Sequence, residues 1–277
     1  MQSTRKYGLG LAIAAMLVCL PGKVFSQWYG EAEYRFGLNK RSLSALEIGQ
    51  TNVMGAIPNP YTLGGYSFSS GYTFRPDSLN MAFSTGISYL KSHSGTILYN
   101  SAPYYPSYSA LKHEIITIDL GLSLEFKIKK TINSSTGFSL LLPVYMKGVE
   151  LQQTRTTSVL LEESREVAYR RGPGIRVHQD FTIWTNGQAT FFAGVSAGWI
   201  SAFRKSRKLM AGDISLPVSQ REMQYLTDRQ ISQKGEINDP SLSGFNPNLP
   251  TETITYNEPL SFVALKMGLS FYLHKKP

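Results

Sequence analysis

The sequence predicts an all-β fold: eight antiparallel strands in up-and-down order, closed into a barrel. Three observations predict it. The 277 residues include 16 Tyr, 14 Phe and 24 Gly with only 17% charged residues, a β-rich composition unlike that of a helix bundle. Eight segments alternate apolar and small or polar residues with period two. Short turn-like connections alternate with long ones. The 42% hydrophobic content excludes a disordered chain.

The N-terminus reads as an export signal. Arg5 and Lys6 precede an apolar run from Leu9 to Leu20, broken by Pro21 and Gly22, with a cut expected after Ser26. That run is too short to span a bilayer, and no later run approaches the roughly 20 apolar residues a spanning helix needs. The expected organisation is a signal peptide over 1–26 and one barrel domain over 27–277. Removing 1–26 takes away Arg5, Lys6 and Lys23 and no acid, so the formal charge falls from +9 to +6. Cys19, the one cysteine, leaves with the signal, so neither disulfides nor thiolate metal sites are expected.

The strands are expected at 28–38, 63–75, 79–91, 115–127, 137–148, 173–184, 189–201 and 260–273. The first sets Trp28, Ala32, Tyr34 and Phe36 against Glu31, Glu33 and Arg35. The fourth sets Ile116, Ile118, Leu120, Leu122, Leu124 and Phe126 against Asp119, Gly121, Ser123, Glu125 and Lys127. The fifth places Phe138, Leu140, Leu142, Val144 and Met146 on one face, with Leu141 and Tyr145 opposite and a bulge expected at Pro143. The eighth sets Val263, Leu265, Met267, Leu269 and Phe271 against Ala264, Lys266, Gly268 and Ser270. Tight turns are expected at 75–78 and 185–188, and long connections at 39–62, 92–114, 149–172 and 202–259, with 149–172 continuing as a hairpin.

The non-apolar face decides which way the sheet looks. It is mostly Gly, Ser, Ala and Thr, as the narrow lumen of an eight-stranded barrel requires; a water-exposed sheet has no reason to shrink its side chains. The apolar face carries aromatics at matching depth: Trp28, Phe74, Phe126, Phe138, Phe191 and Phe271 at one end, Phe36, Tyr66, Tyr89 and Trp199 at the other. Aromatic girdles of this kind mark the two interfaces of a membrane barrel. On this pattern residues 27–277 resemble the small eight-stranded outer-membrane barrels of Gram-negative bacteria, the OmpA, OmpX and OmpW type, and the Ser26-Gln27 junction is similar to that of many exported Bacteroidota proteins. The resemblance implies a transmembrane barrel with short periplasmic turns and long extracellular loops, inserted by the outer-membrane assembly machinery. Such barrels often end on an aromatic residue that this machinery reads; here Phe271, Tyr272 and Leu273 precede His274-Lys275-Lys276-Pro277.

The inward face is expected to hold a polar network of Glu31, Glu33, Arg35, Asp119, Glu125, Lys127, Arg176, His178, Asp180 and Lys266, paired because a buried charge is costly alone. A lined pore is the alternative. Gly194-Val195-Ser196-Ala197-Gly198 matches a serine-hydrolase pattern but lies mid-strand, where no strained elbow is expected. His93 and Ser94 are adjacent and so point to opposite faces, unlike the pair of a lipid-directed deacylase. The four histidines lack metal-site spacing, and no cofactor motif is present. Arg204, Lys205, Arg207 and Lys208 are expected to touch lipopolysaccharide. Residues 202–259 balance seven Lys/Arg against seven Asp/Glu, which weakens a nucleic-acid reading. Residues 92–114, rich in Tyr and Pro, suit a contact surface. The expected role is non-catalytic: structural, adhesive or envelope-assembly, with outer-membrane lipid and an envelope protein as partners. A narrow solute channel and a lipid-A-modifying enzyme stay open as alternatives.

Overall fold

The structure is a computed structural model that describes residues 26–38, 53–74, 80–100, 106–129, 132–155, 160–186, 188–255, 257 and 260–273. All of the expected signal peptide but Ser26, the turn at 75–78 and Tyr104 and Tyr105 lie outside the described residues, as do the side chains of His93, Ser94, Tyr99 and Tyr108.

Twelve elements follow in order: β1 (Ser26–Leu38), β2 (Val53–Phe74), β3 (Asn80–Asn100), β4 (Pro106–Lys129), β5 (Ile132–Arg155), β6 (Leu160–Thr185), β7 (Ala189–Ala211), α1 (Val218–Arg221), β8 (Glu222–Leu226), α2 (Asp228–Lys234), β9 (Thr251–Ile254) and β10 (Leu260–Tyr272). All ten strands share one sheet. From β1 to β8 each strand pairs antiparallel with the next, and β10 pairs antiparallel with both β1 and β7. Eight strands, β1 to β7 and β10, therefore close into a ring that leaves none of them without two neighbours. The remaining pair, β8 and β9, hangs from the far end of β7.

The alternation in the sequence becomes an alternation of exposure. Along β10, Val263, Leu265, Met267, Leu269 and Phe271 are exposed, while Ala264, Lys266, Gly268 and Ser270 are buried. The same holds around the ring, where Phe68 is 65% exposed, Ile87 59% and Val177 53%, whereas Arg35 is 1% exposed. The ring is apolar on its outward face, while its inward face is polar through the middle and apolar toward the strand extensions. Interior glycines give the space this needs: a Cβ on Gly268 would stand 2.4 Å from the Phe192 ring, and one on Gly71 2.4 Å from the Tyr29 ring.

Three expectations need correction. The six strands β2 to β7 run well past the far ends of β1 and β10, so the expected connection over 92–114 is mostly paired backbone of β3 and β4. The hairpin expected over 149–172 is present. In these extensions strands such as Val149–Arg155 carry Glu, Gln and Thr, so the apolar period fades while the ladder continues.

The second correction is on β5. Ile116 pairs with Tyr145 and Thr117 with Pro143, leaving Val144 as the extra residue of a bulge beside the proline that cannot donate. Beyond it the faces exchange. Tyr145 turns outward and Met146 inward, opposite to a strict period of two. The third concerns 202–259, which is not an open loop: β7 continues to Ala211 and the rest folds into a cap of α1, β8, α2 and β9.

In the cap, Thr227 and Gln230 form a capping box on α2, and Gly235 ends that helix at φ +82°, a conformation that favours glycine. Asn238 organises the turn before β9. Its Nδ2 donates to the carbonyls of Asn246 and Pro250 at 3.0 and 2.9 Å, and its Oδ1 accepts from the Asn246 N–H at 2.7 Å. Arg165 and Arg170 on β6 donate to the Gln220 carbonyl and to Gln230 Oε1, fastening the cap to the ring's extension.

Candidate functional site

The lumen has three layers. In the middle, inward residues of β1, β4, β6 and β10 form an ionic network around Glu33. Arg35 Nε donates to Glu33 Oε1 at 2.6 Å, Arg176 Nη1 to the same oxygen at 3.1 Å, and Lys266 Nζ to Glu33 Oε2 at 3.3 Å. Asp119 Oδ2 lies 3.5 Å from both Arg35 and Arg176, and Lys266 Nζ lies 2.7 Å from Asp180 Oδ2. Hydroxyls complete the shells: Ser88 and Thr117 donate to Asp119, and Arg176 donates to Ser139. Such mutual pairing is what lets these charges sit away from water.

Seven of the ten predicted network residues thus meet directly: Glu33, Arg35, Asp119, Arg176, His178, Asp180 and Lys266, with His178 joining through Asp180 at 3.6 Å. Glu31 and Glu125 line the cavity below, and Ser270 donates to Glu31 at 2.9 Å. Lys127 does not join. It stands exposed near the end of β4, where the strand has run past the lumen.

Toward the long extensions the lumen is filled by an apolar plug that includes Leu63, Leu90, Ile115, Leu141, Ile200 and Leu260, all buried. His113 and Tyr169 hydrogen-bond within it at 2.9 Å. These residues sit on the interior parity of their strands, so extending the parity reading by one or two positions would have found them. In the sequence Leu141, Tyr145 and Phe192 stood out as lumen obstructions; Leu141 and Phe192 are buried, whereas Tyr145 faces outward.

Toward the opposite end, where β10 finishes and β1 begins, the lumen opens into a polar cup. Its wall carries Tyr29, Glu31, Glu125, Tyr272, Phe192 and several serines. Neither tyrosine stood out in the sequence, since an aromatic on the interior parity looks like an exception to the small-residue rule.

No protein-family model matches this chain, and no curated protein matches it significantly. The chemistry therefore has to be judged on the side chains.

Ser196 of the Gly-x-Ser-x-Gly stretch pairs directly across the β6–β7 ladder with His178, near Asp180. The residue types of a hydrolytic triad are adjacent, yet Ser196 is 2% exposed, and neither its Oγ nor His178 Nδ1 has a hydrogen-bond partner among the described residues. A serine nucleophile needs its base in hydrogen-bond reach and a substrate at its oxygen; this geometry offers neither. Among the described residues no group of three or more His, Cys, Asp and Glu is arranged to hold a metal ion.

The basic stretch on β7 is divided by a bulge. Arg204 pairs with Tyr169 and Ser206 with Ala168, so Lys205 is the extra residue. Lys205 is exposed, and Lys208 is exposed with its Nζ 3.1 Å from Glu222. Arg207 turns in, with Nε 2.8 Å from Glu150 on β5, and Arg204 is half-buried. The four do not form one surface.

Outside the ring the cap carries one buried acid. Lys234 Nζ reaches both oxygens of Glu252 at 2.5 Å, and the Asn238 N–H donates to Oε2 at 2.9 Å. Burial opposes ionisation of Glu252, but these two donors outweigh it and hold the carboxyl below its ordinary range.

Proposed function

We propose that this chain is an integral outer-membrane β-barrel with a non-catalytic structural, adhesive or envelope-assembly role, exercised through the strand extensions and cap that stand above one face of the bilayer. The observation that carries the reading is the inversion of polarity: large apolar side chains exposed around the whole ring, and a paired ionic network within it. A hydrocarbon surround makes that arrangement favourable, because each exposed apolar residue is then solvated by lipid and the backbone of the closed ring is paired. The 13 residues each of β1 and β10 suit a bilayer crossing, for which a tilted strand needs about 9–11. No helix among the described residues is long and apolar enough to cross a membrane, so the strands would do the crossing.

The apolar plug and the ionic network stacked in one lumen favour this reading over a solute channel, since ions would have to pass a dry constriction of leucines and isoleucines. On this reading the cup faces the periplasm and the cap the exterior, with lipopolysaccharide meeting Lys205 and Lys208 near the outer rim.

Nitroxide labels at Leu120 and Ser123 in liposomes test the orientation. Oxygen dissolved in the acyl region should relax the Leu120 label strongly and the Ser123 label weakly. The opposite ranking, or a mature protein that stays in solution without detergent, would remove the basis of the proposal.

A further inference from the structure

The strand register fixes the depth of each outward residue. A row of directly paired residues leaves β1 at Ser26, passes Phe74, Met81, Leu124, Thr136, Gln179, Val195 and Leu265, and returns to β1 at Phe36. One circuit of the eight strands therefore climbs ten residues, from position 26 to position 36, as the tilt of a closed barrel requires. Gln179 stands five of those eight steps along, about six residues up β1 and so level with Ala32. Ala32 is the central residue of β1, and the exposed belt aromatics Trp28 and Phe36 stand four residues to either side of it. On the membrane reading, on which this inference rests, Gln179 lies at the middle of the hydrocarbon.

Its side chain is on the lipid side. Gln179 is half-buried and shares its parity on β6 with the exposed Val177 and Phe181, while His178 and Asp180 line the cup. Around the ring that depth is otherwise held by apolar side chains such as Leu122 and Met267 and by the small hydroxyls Ser70, Thr85 and Thr136. Gln179 brings the one amide among the described outward residues there. An amide offers two N–H donors and two lone pairs. Thr136 Oγ1 donates to Gln179 Oε1, and Gln179 Nε2 donates to Ser134 Oγ. One N–H and one lone pair are left without a partner among the described residues, and acyl tails supply neither.

We propose that two copies of this chain dock within the membrane through the outer faces of β5 and β6, with their Gln179 amides paired across a two-fold axis along the bilayer normal. The unused donor and acceptor of one amide complement those of an identical amide, so each gives one N–H···O bond and receives one. Copies inserted in the same sense carry Gln179 at the same depth, whereas an unrelated chain would have to place a polar group there. Thr136 and Ser134 hold the amide in position beforehand, which lowers the ordering cost of pairing. Thr136 beside Gln179 and Ala193 diagonal to it on β7 are small and let the two walls approach, and the exposed Phe138, Val177 and Phe181 supply packing surface around them.

Cysteine cross-linking of the full chain in liposomes tests it, in a Cys19→Ala background. Val177→Cys lies one outward position from Gln179 on β6, and Phe68→Cys lies at similar depth on β2, on the opposite side of the ring. Mild oxidation should join Val177→Cys into a covalent dimer and leave Phe68→Cys monomeric. Sedimentation equilibrium in density-matched detergent micelles should show a reversible dimer, and Gln179→Leu should raise its dissociation constant about tenfold, the loss expected with two amide hydrogen bonds inside a membrane. Flotation separates this inference from the reading beneath it. A chain that does not float with the liposomes removes the membrane reading and the docking together. A chain that floats but stays monomeric, cross-links equally from both positions, or dimerises as tightly with Gln179→Leu overturns the docking alone. If circular dichroism shows that Gln179→Leu does not fold, the contrast between Val177→Cys and Phe68→Cys decides.

Discussion

Glu33 and Arg176, 143 residues apart on strands that do not neighbour each other, meet inside the ring with Arg176 Nη1 3.1 Å from Glu33 Oε1. Backbone ladders join only adjacent strands; this pair joins β1 to β6 across the lumen. Glu33 also takes Arg35 and Lys266, so three cations converge on one carboxylate. Glu33→Ala would leave them facing one another on the buried floor of the cup. We expect a loss of about 3–5 kcal/mol, the usual result of removing one partner from a buried ionic cluster. The unfolding midpoint in urea with detergent reads it, and an unchanged midpoint would show that the network contributes little to holding the ring closed.

The outer face makes the opposite demand. Val177 and Leu265 are exposed apolar residues at similar depth in the ring, Leu265 midway along β10 and Val177 in register with Val263 through Ala197 of β7. On the membrane reading, Val177→Arg or Leu265→Arg should cost about 2–4 kcal/mol near the bilayer midplane, measured by reversible unfolding from liposomes. In a ring surrounded by water the same changes would be neutral or would improve solubility, so the sign alone discriminates.

What was legible in the sequence, and what was not, follows the physics of each region. Within the ring a residue meets either the outside or the lumen, so Leu265 and Lys266 declare their faces through composition alone. Above the ring that contrast vanishes, and strand residues such as Gln152 and Glu163 pair without any apolar period. Bulges hide for another reason: one extra residue at Val144 or Lys205 reverses every face beyond it, and only Pro143 left a mark in the sequence. Lys127 was misplaced because strand length, unlike parity, is not written in the alternation. The network itself was recoverable as a set of inward charges, but the choice of Glu33 as its hub required the register between β1 and β10 and the curvature that brings β6 across.

On the proposed membrane reading the divided basic stretch on β7 separates two roles. Lys205→Ala and Lys208→Ala should reduce retention of lipopolysaccharide by the folded protein, since both side chains are exposed. Arg207→Ala should instead lower stability by about 1–3 kcal/mol with little change in retention, because its guanidinium is committed to Glu150. Binding of labelled lipopolysaccharide beside a denaturation curve tells these apart; equal loss of binding in all three variants would mean that Arg207 is also on the contact surface.

Asn238 should control the cap independently of the ring. Its side chain satisfies the carbonyls of Asn246 and Pro250 and the Asn246 N–H. Asn238→Ala leaves those groups without their partner at a cost of about 2 kcal/mol. Hydrogen exchange should then quicken across residues 236–254 while amides of the ring keep their protection. Uniform quickening would show that cap and ring unfold together.

The cap should also loosen in acid, and the sign follows from Glu252. Its carboxyl is held below the ordinary range in the folded cap by Lys234 and the Asn238 N–H, so the unfolded segment binds a proton more readily than the folded one. The stabilisation is therefore complete above the unfolded carboxylate value of about 4.3 and drains away as pH falls through the lower folded value. Hydrogen exchange of β9, corrected for intrinsic rate, should reveal less protection at a pH near 3 than near 6. Lys234→Ala removes the ammonium and should shrink that difference, whereas a difference of equal size in both proteins would assign the acid response to some other group.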